Sequence, residues 1–305
     1  MDGSDKRKTV KGYILVIISA CAFGTMGIAN RFAYNHGADM ASLMSMRFLV
    51  VTVFYIIYMR LRRLSWRLPF KKALVLVILG LGLYANVVFF FYRAVEFISP
   101  AMASLILYTY PAMVGILGHF FLGERLTGRH LISLAVVMAG CGLIVSGPMD
   151  NLAGRGLLYA FCTALFYAVY IIGNRKILSD VHPVVSAAYM GASCAVYFLV
   201  FQLLQGSFTY SFDVGGWVAM LVLAFWCTIA GILAFFHGMM ILGATKASIV
   251  STFEPLFTAL LAWIILGDMI GYLQWIGGIC ILSGVLLLRI RGRKNKVENE
   301  GTPDA

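Results

Sequence analysis

The sequence predicts an all-α integral membrane protein of ten transmembrane helices, arranged as two inverted five-helix repeats. Three observations carry this. The 305 residues are 61% hydrophobic and only 12% charged, a composition too apolar for a soluble domain. Ten apolar stretches are long enough to cross ~30 Å of hydrocarbon as helices, and they are continuously apolar rather than alternating like barrel strands. Finally, a shift of 144 residues lays the second half over the first without a gap. Gly12 falls on Gly156, Asn30-Arg31 on Asn174-Arg175, Ala103-Ser104 on Ala247-Ser248, Pro111 on Pro255, and Gly140 on Gly284. An odd number of crossings per half forces the second copy into the membrane upside down. Inverted repeats of this kind place a site between the halves and expose it alternately to each side.

The first stretch, 12–33, follows Lys6-Arg7-Lys8 and carries Ser19, Phe23, Met26 and Asn30 on one face. A basic start before an apolar run is also how a signal peptide begins. This run is ~20 residues long, beyond a signal peptide's short apolar core, and it has a repeat partner at 156–175 that the fold would lose. The second stretch, 40–59, contains Arg47, and the third, 73–93, has Asn86 and Arg93 seven residues apart on one face. The fourth, 100–121, presents Ser104, Tyr108, Pro111, Gly115 and His119 together, and the fifth spans 130–147.

The sixth stretch, 155–174, aligns Thr163, Tyr167, Tyr170 and Asn174. The seventh and eighth stretches are 184–204 and 216–237, with His237 closing the eighth. Helical spacing in the ninth, 247–267, puts Ser251, Glu254 and Thr258 on one face, flanked by Ser248, Thr252 and Pro255. The tenth covers 272–289, and the polar tail 290–305 reads as disordered and cytoplasmic. The repeats therefore run 12–147 and 155–289, joined by loops too short to hold a soluble domain.

The net charge of +11 is a topology signal and not a nucleic-acid footprint. With the N-terminus inside, twenty of the 24 Lys and Arg fall on the cytoplasmic side. Three (Arg31, Arg93 and Arg155) fall outside, and Arg47 lies within a span. That bias puts both termini in the cytoplasm. The six cysteines all lie inside expected spans with no metal-ligand spacing, as small packing residues do. No Gly-rich phosphate loop is present, so an ATP-driven pump would need a separate subunit. No zinc spacing, nucleophile elbow or close acidic pair supports catalysis, and no cofactor is expected.

Charge inside hydrocarbon costs at least ~2.5 kcal/mol on insertion scales. Of thirteen acidic residues only Glu254 lies inside a span, and it directly precedes Pro255, which removes a backbone hydrogen bond in mid-membrane. Glu254 is therefore the candidate for substrate and proton binding; the alternative is a protonated packing residue. Tyr110 stands at the equivalent position of the first repeat. Arg47 reads as an anion binder, a partner of Glu254, or a side chain that snorkels to the surface. The cavity candidates are Glu254, Tyr110, Tyr108, Ser104, Ser251, Thr258, Asn86, Arg47, Tyr167, Tyr170 and Asn30, with Pro111 and Pro255 as hinges. For any single hydroxyl or aromatic, interhelical packing is the competing role. Glu124 and Asp268 follow Leu-Gly at tight turns, where they are expected to satisfy the start of the next helix.

Several motifs resemble one family. Tyr110-Pro111 through Leu122-Gly123-Glu124-Arg125-Leu126-Thr127 to Gly140 resembles the end of an EamA domain. Glu254-Pro255-Leu256-Phe257 through Leu266-Gly267-Asp268 to Gly284 does so again, and Phe23-Gly24 and Arg47-Phe48 are similar to that pattern. Asp268 replaces the more usual Glu, and Phe23 stands where Trp is common. The resemblance implies a ten-helix member of the drug/metabolite transporter superfamily, exporting amino acids, metabolites or toxic compounds across a bacterial inner membrane. It further implies a central cavity lined by spans one to four and six to nine.

The expected function is thus a secondary transporter, an exporter of a small metabolite working by alternating access. Its partners are that substrate, membrane lipids and protons, with monomer and homodimer equally open. The competing classes are a membrane enzyme acting on lipid-linked substrates, which calls for clustered acids or histidines at one face, and a receptor or scaffold that binds without transport.

Overall fold

Continuous runs of Leu, Val, Ile, Phe and Ala leave the backbone one way to satisfy its polar groups in an apolar medium, the helix. The computed structural model describes residues 3–98, 100–145, 154–205, 210, 212–266 and 271–289, and among these it is helical with no strand. The helices are α1 (Gly3–Gly24), α2 (Met26–Asn35), α3 (Met40–Leu61), α4 (Phe70–Val77), α5 (Ala85–Val95), α6 (Pro100–Leu107), α7 (Tyr110–Leu122) and α8 (Gly128–Val145). They continue as α9 (Gly154–Ile177), α10 (Pro183–Gln205), α11 (Val214–Val222), α12 (Gly231–Leu242), α13 (Ala244–Ser251), α14 (Phe253–Leu261) and α15 (Tyr272–Arg289). Three π-helical segments, Ile78–Tyr84, Leu223–Ala230 and Ala262–Leu266, run on from α4, α11 and α14.

Seven helical stretches are long and apolar enough to cross a membrane: Arg7–Asn35, Met40–Leu61, Phe70–Val95, Gly154–Ile177, Pro183–Gln205, Val214–Leu242 and Ala244–Ile265. The fourth, fifth and tenth expected stretches overlap the shorter apolar helices Tyr110–Leu122, Gly128–Leu143 and Trp275–Leu287. The fourth falls short because the chain turns at Tyr108-Thr109, between α6 and α7, ahead of Pro111. The tail 290–305 and Asp268 lie outside the described residues.

The packing repeats itself under the 144-residue shift. α3 lies along α10, and α8 along α15. α1 packs against α12 on one side and against α13 and α14 on another; α9 packs in the same way against α5 and against α6 and α7. The α3–α10 seam joins Phe48 to Phe198, stacked with ring centroids 5.8 Å apart, and holds a buried polar ladder. There Ser45 Oγ donates to Gln202 Oε1 at 2.9 Å, and Gln202 Nε2 donates to Ser42 Oγ at 2.9 Å.

The α8–α15 seam needs glycine. A Cβ on Gly140 would lie 2.7 Å from the Gly277 carbonyl oxygen, and one on the equivalent Gly284 would lie 3.1 Å from the Ser133 carbonyl and 2.5 Å from Val137. Ser133 Oγ also donates to the Gly284 carbonyl at 2.6 Å. Small residues here allow the close backbone approach that substitutes for a hydrophobic driving force in lipid.

Contacts at the helix ends tie the two halves together. His36 Nδ1 meets Asp213 Oδ2 at 2.7 Å, and Lys72 Nζ meets Asp180 Oδ2 at 3.0 Å. The hydrogen bond from Lys72 holds the Asp180 carboxyl below the usual carboxylate range, and that from His36 does the same for Asp213.

Glu124 corrects an expectation. It does not cap its own next helix, α8. Its Oε1 accepts from the Ala244 N–H at 2.7 Å and its Oε2 from the Thr245 N–H at 2.9 Å, so it caps α13 in the other repeat. The reason is geometric. Gly123, with φ +66°, closes α7 in the left-handed region and turns the chain so that the next side chain meets the positive N-terminus of α13. Gly243, at φ +86°, leaves room for it, since a Cβ there would lie 2.8 Å from Glu124 Oε1.

Two outcomes follow from this packing. Gly140→Ala lowers stability by about 1–3 kcal/mol through overpacking, while Gly128→Ala, with nothing within 4 Å of its Cβ, leaves it nearly unchanged; thermal unfolding in detergent reads both. Glu124→Ala accelerates hydrogen exchange at the Ala244 and Thr245 amides and leaves those of α9 protected.

Candidate functional site

The two repeats break their helices at equivalent depths. α6 gives way to α7 at Tyr108-Thr109, and α13 gives way to α14 at Thr252; Tyr108 and Thr252 are 144 residues apart. Pro111 and Pro255 sit just inside the second half-helices, where a missing N–H costs nothing. The expected hinges are therefore helix breaks. Each break is patched by nearby hydroxyls: Thr109 Oγ1 donates to the Ile106 carbonyl at 2.7 Å, Ser251 Oγ to the Ser248 carbonyl at 2.8 Å, and Thr252 Oγ1 to that of Ile249.

One contact joins the two breaks directly. The Tyr110 hydroxyl, on the first residue of α7, is hydrogen-bonded to Ser251 Oγ, on the last residue of α13. Both residues are buried. Around this bond lies a cluster of tyrosines. Tyr110 stands edge-on to Tyr167 with centroids 4.7 Å apart, Tyr167 stacks on Tyr170 at 6.2 Å, and Tyr170 meets Tyr84 at 4.9 Å. Tyr170 Oη donates to the Met190 thioether at 2.8 Å.

Glu254 lies in the first turn of α14. It is the eleventh residue of the stretch Ala244–Ile265, about 15 Å from its start at 1.5 Å per residue. That is the middle of an apolar layer ~30 Å thick. At that depth it is nonetheless only partly buried, and among the described residues its carboxylate has no hydrogen-bond or ion-pair partner. Thr258, one turn on, donates to the Gly24 carbonyl and to the Glu254 carbonyl oxygen, each at 3.0 Å, which presses α1 against the same turn. Tyr84, Tyr108, Tyr110 and Tyr167 all lie within electrostatic reach of the Glu254 carboxylate. The N-terminus of α14 adds a favourable field for negative charge there.

Arg47 neither snorkels nor pairs with Glu254. It is 3% exposed, inside the bundle. Its Nε donates to Thr228 Oγ1 at 2.6 Å, and its Nη1 meets the sulfurs of Met26 and Met44 at 3.7 and 3.8 Å. The guanidinium carbon stands 5.2 Å from the Phe48 ring centroid. Thr228 belongs to the π-helical segment Leu223–Ala230 and donates its own proton to the Leu223 carbonyl at 2.7 Å. With that proton committed, its lone pair faces Arg47.

Other candidates have local duties. Asn86 Nδ2 donates to the carbonyls of Leu81 and Gly82 at 3.1 and 3.0 Å, closing the π-helical segment Ile78–Tyr84, and its Oδ1 accepts from Tyr197. Arg93 pairs with Glu96 and lines a cavity of about 540 Å³ with Asp39, Tyr159 and Phe201, among helix ends and away from Glu254. Asn30 Oδ1 is buried without a partner, whereas the equivalent Asn174 accepts from Ser186 at 3.0 Å. Ser104 is partly buried behind the α6–α7 break, and Tyr108 is buried. The site residues that periodicity missed are Tyr84 and Thr228. They occupy equivalent positions 144 residues apart, but both sit in π-helical turns that a helical wheel cannot anticipate.

Apolar helices broken at mid-depth around one carboxylate, with no strand among the described residues, define a multi-pass membrane transporter. A family model described as the EamA-like transporter family matches residues 10–146 and 154–290. The chain belongs to the EamA-like transporter family. It is 26% identical to an "Uncharacterized transporter" of Archaeoglobus fulgidus over 90% of this chain and 95% of that one. It is also 26% identical to "Uncharacterized transporter YxxF" of Bacillus subtilis, over 98% and 96% of the two chains. A "Probable amino-acid metabolite efflux pump" of Escherichia coli is 26% identical over 69% of this chain and 75% of its own. A solved crystal structure superposes with TM-score 0.80 at 18% identity, over 91% of this chain and 96% of that one, and shares the fold.

Tyr110→Phe and Ser251→Ala each remove one half of the bond between the breaks, at about 1 kcal/mol apiece. In a double-mutant cycle read by thermal unfolding, Ser251→Ala costs less in the Tyr110→Phe background than in the wild type, the remainder being the bond to the Ser248 carbonyl.

Proposed function

We propose that the chain is a secondary transporter that exports a small metabolite by alternating access, with ten crossings in two inverted repeats, 12–147 and 155–289, and both termini cytoplasmic. The observation that carries this is Glu254: an unpartnered carboxylate in the middle of an apolar layer, where the broken helices of both repeats meet. Ionisable groups at such depth are retained for function. Broken helices around a midplane site, related by an inverted repeat, are the architecture on which secondary transporters work.

Several features support the arrangement. The family model matches twice, at an offset of 144 residues. The helix contacts, the helix breaks and the glycine seam all recur under that same shift. The name of the Escherichia coli relative, a probable amino-acid metabolite efflux pump, supports an efflux direction and an amino-acid-related cargo.

In this reading Glu254 is the coupling group. It holds a proton when facing one side and gives it up when substrate enters from the other. The Tyr110–Ser251 bond is the contact across which the halves close, and α7 and α14 pivot at Pro111 and Pro255. Glu124 on the end of α13 closes the cytoplasmic side, so that opening inward requires this clasp to release. The Lys- and Arg-rich inner face sits against anionic lipid head groups.

Reconstitution in liposomes tests the mechanism. Wild-type protein drives substrate movement with an imposed pH gradient and also exchanges substrate across equal pH. Glu254→Gln abolishes the pH-driven movement and spares the exchange. Survival of the pH dependence in that variant would remove Glu254 from the coupling role.

A further inference from the structure

Beside the Glu124 clasp lies a cavity of about 340 Å³ that the transport reading does not use. It sits between the C-terminal ends of α7 and α9, lined by Phe121, Leu122, Glu124, Arg175, Lys176 and Ser179. Its volume falls in the range of small-molecule sites, ~300–1,000 Å³. One wall is basic and another is apolar.

The two acids near the basic wall already have partners. Glu124 accepts from the Ala244 and Thr245 amides with its two oxygens. Asp180, just beyond Ser179, pairs with Lys72 at 3.0 Å. The cations differ: among the described residues neither Arg175 nor Lys176 has a side-chain hydrogen bond or an ion pair. Hydration accounts for Lys176, which is exposed, and the negative C-terminal end of α9 favours both charges. It does not account for Arg175, which is half-buried on the cavity wall with five N–H donors to satisfy. Ser179 spends its proton on the Lys176 carbonyl at 2.8 Å. The free donors of this wall are therefore the guanidinium and the ammonium.

The apolar wall continues outward along both helices. On α9, Leu158, Leu165 and Val169 are exposed and share a face with Lys176 at helical spacing. On α7, Ile116 and Phe120 are exposed one turn apart, and the exposed Phe121 enters the cavity lining. α7 and α9 pack against each other, so two apolar stripes end at one basic cavity. Basic pockets between membrane helices on the cytoplasmic side suit phospholipid head groups. A free phosphate would match the cations and leave the stripes without an occupant. A phosphatidylcholine would match the stripes and bring its own cation to a wall that already has two. An anionic phospholipid matches both.

We propose that this cavity binds the phosphate of an anionic phospholipid of the cytoplasmic leaflet. Arg175 holds two phosphate oxygens with its planar fork, and Lys176 adds a point charge. The acyl chains lie along the exposed stripes of α7 and α9. The site rests on the proposed membrane crossing and orientation of these helices, and its ligand is distinct from the transported cargo.

The test titrates the purified full chain with palmitoyl-oleoyl phosphatidylglycerol and, separately, with the phosphatidylcholine of the same chains, and reads bound lipid by native mass spectrometry. Wild-type protein retains phosphatidylglycerol more tightly than phosphatidylcholine. Arg175→Gln and Lys176→Gln each weaken phosphatidylglycerol about 5-fold, and the double variant about 30-fold, at the worth of one surface cation per charge removed. Phosphatidylcholine retention stays unchanged in all three. Arg175→Lys, which keeps the charge and loses the fork, falls between wild type and Arg175→Gln. Arg60→Gln with Lys71→Gln removes two exposed cations outside the cavity and leaves phosphatidylglycerol retention as in the wild type.

Equal retention of the two lipids by wild-type protein overturns the proposal, and that comparison needs no variant to fold. So does a double variant at Arg175 and Lys176 that binds like the wild type, or an Arg60/Lys71 pair that loses as much. Inorganic phosphate that displaces phosphatidylglycerol at equal concentration would make the ligand a free anion and overturn the lipid site. Charge-selective lipid retention in a preparation that moves no substrate in liposomes supports this site and sinks the transporter reading. Substrate flux with equal retention of both lipids does the reverse.

Discussion

In hydrocarbon no water is at hand to complete a backbone hydrogen bond, and the rest of this structure depends on that constraint. A helix that breaks or changes pitch must find its own substitutes. Thr25 donates to the Cys21 carbonyl where α1 gives way to α2, and Thr109, Ser251 and Thr252 do the same at the two central breaks. Asn86 and Thr228 each reach back to a carbonyl five residues earlier in the π-helical turns. Hydroxyls and amides that look like a polar lining on a helical wheel are largely spent in this way.

That spending isolates the residues left over. Once Ser248, Ser251, Thr252 and Thr258 are assigned to backbone carbonyls, Glu254 remains as the polar group of its face without a local duty. The same reasoning isolates Arg47, whose one strong partner, Thr228, is itself a patch on a π-helical turn. π-Helical turns are frequent at functional sites, and here the link is physical. The turn frees a carbonyl, the hydroxyl that satisfies it gains a fixed orientation, and that orientation holds the guanidinium.

The equivalence of the two halves is uneven in an informative way. Gly140 and Gly284 make mirror-image contacts in the α8–α15 seam, as a scaffold requires. Tyr110 and Glu254 are equivalent in position but different in chemistry, as are Arg47 and Gly191, and Tyr84 and Thr228. All three pairs border or contain the unpaired charges. At these three pairs the repeats carry different chemistry beside the unpaired charges, while Gly140 and Gly284 are kept in the seam.

The sequence by itself determined the membrane class and the duplication at 144 residues, and it singled out the breaks near Pro111 and Pro255 and Glu254 as the candidate acid. These follow from hydropathy, from self-similarity and from the cost of burying charge, which are all properties read along one chain. It left Arg47 with three roles open and gave Glu124 the wrong partner. Both depend on which helix lies opposite, and that is set by packing between segments more than a hundred residues apart. Thr228 and Tyr84 were invisible for a further reason. A π-helical turn shifts the register of the side chains that follow, so no fixed period in the sequence points to them. Only the tertiary structure decided that Arg47 is buried against Thr228 and Phe48 and forms no ion pair with Glu254.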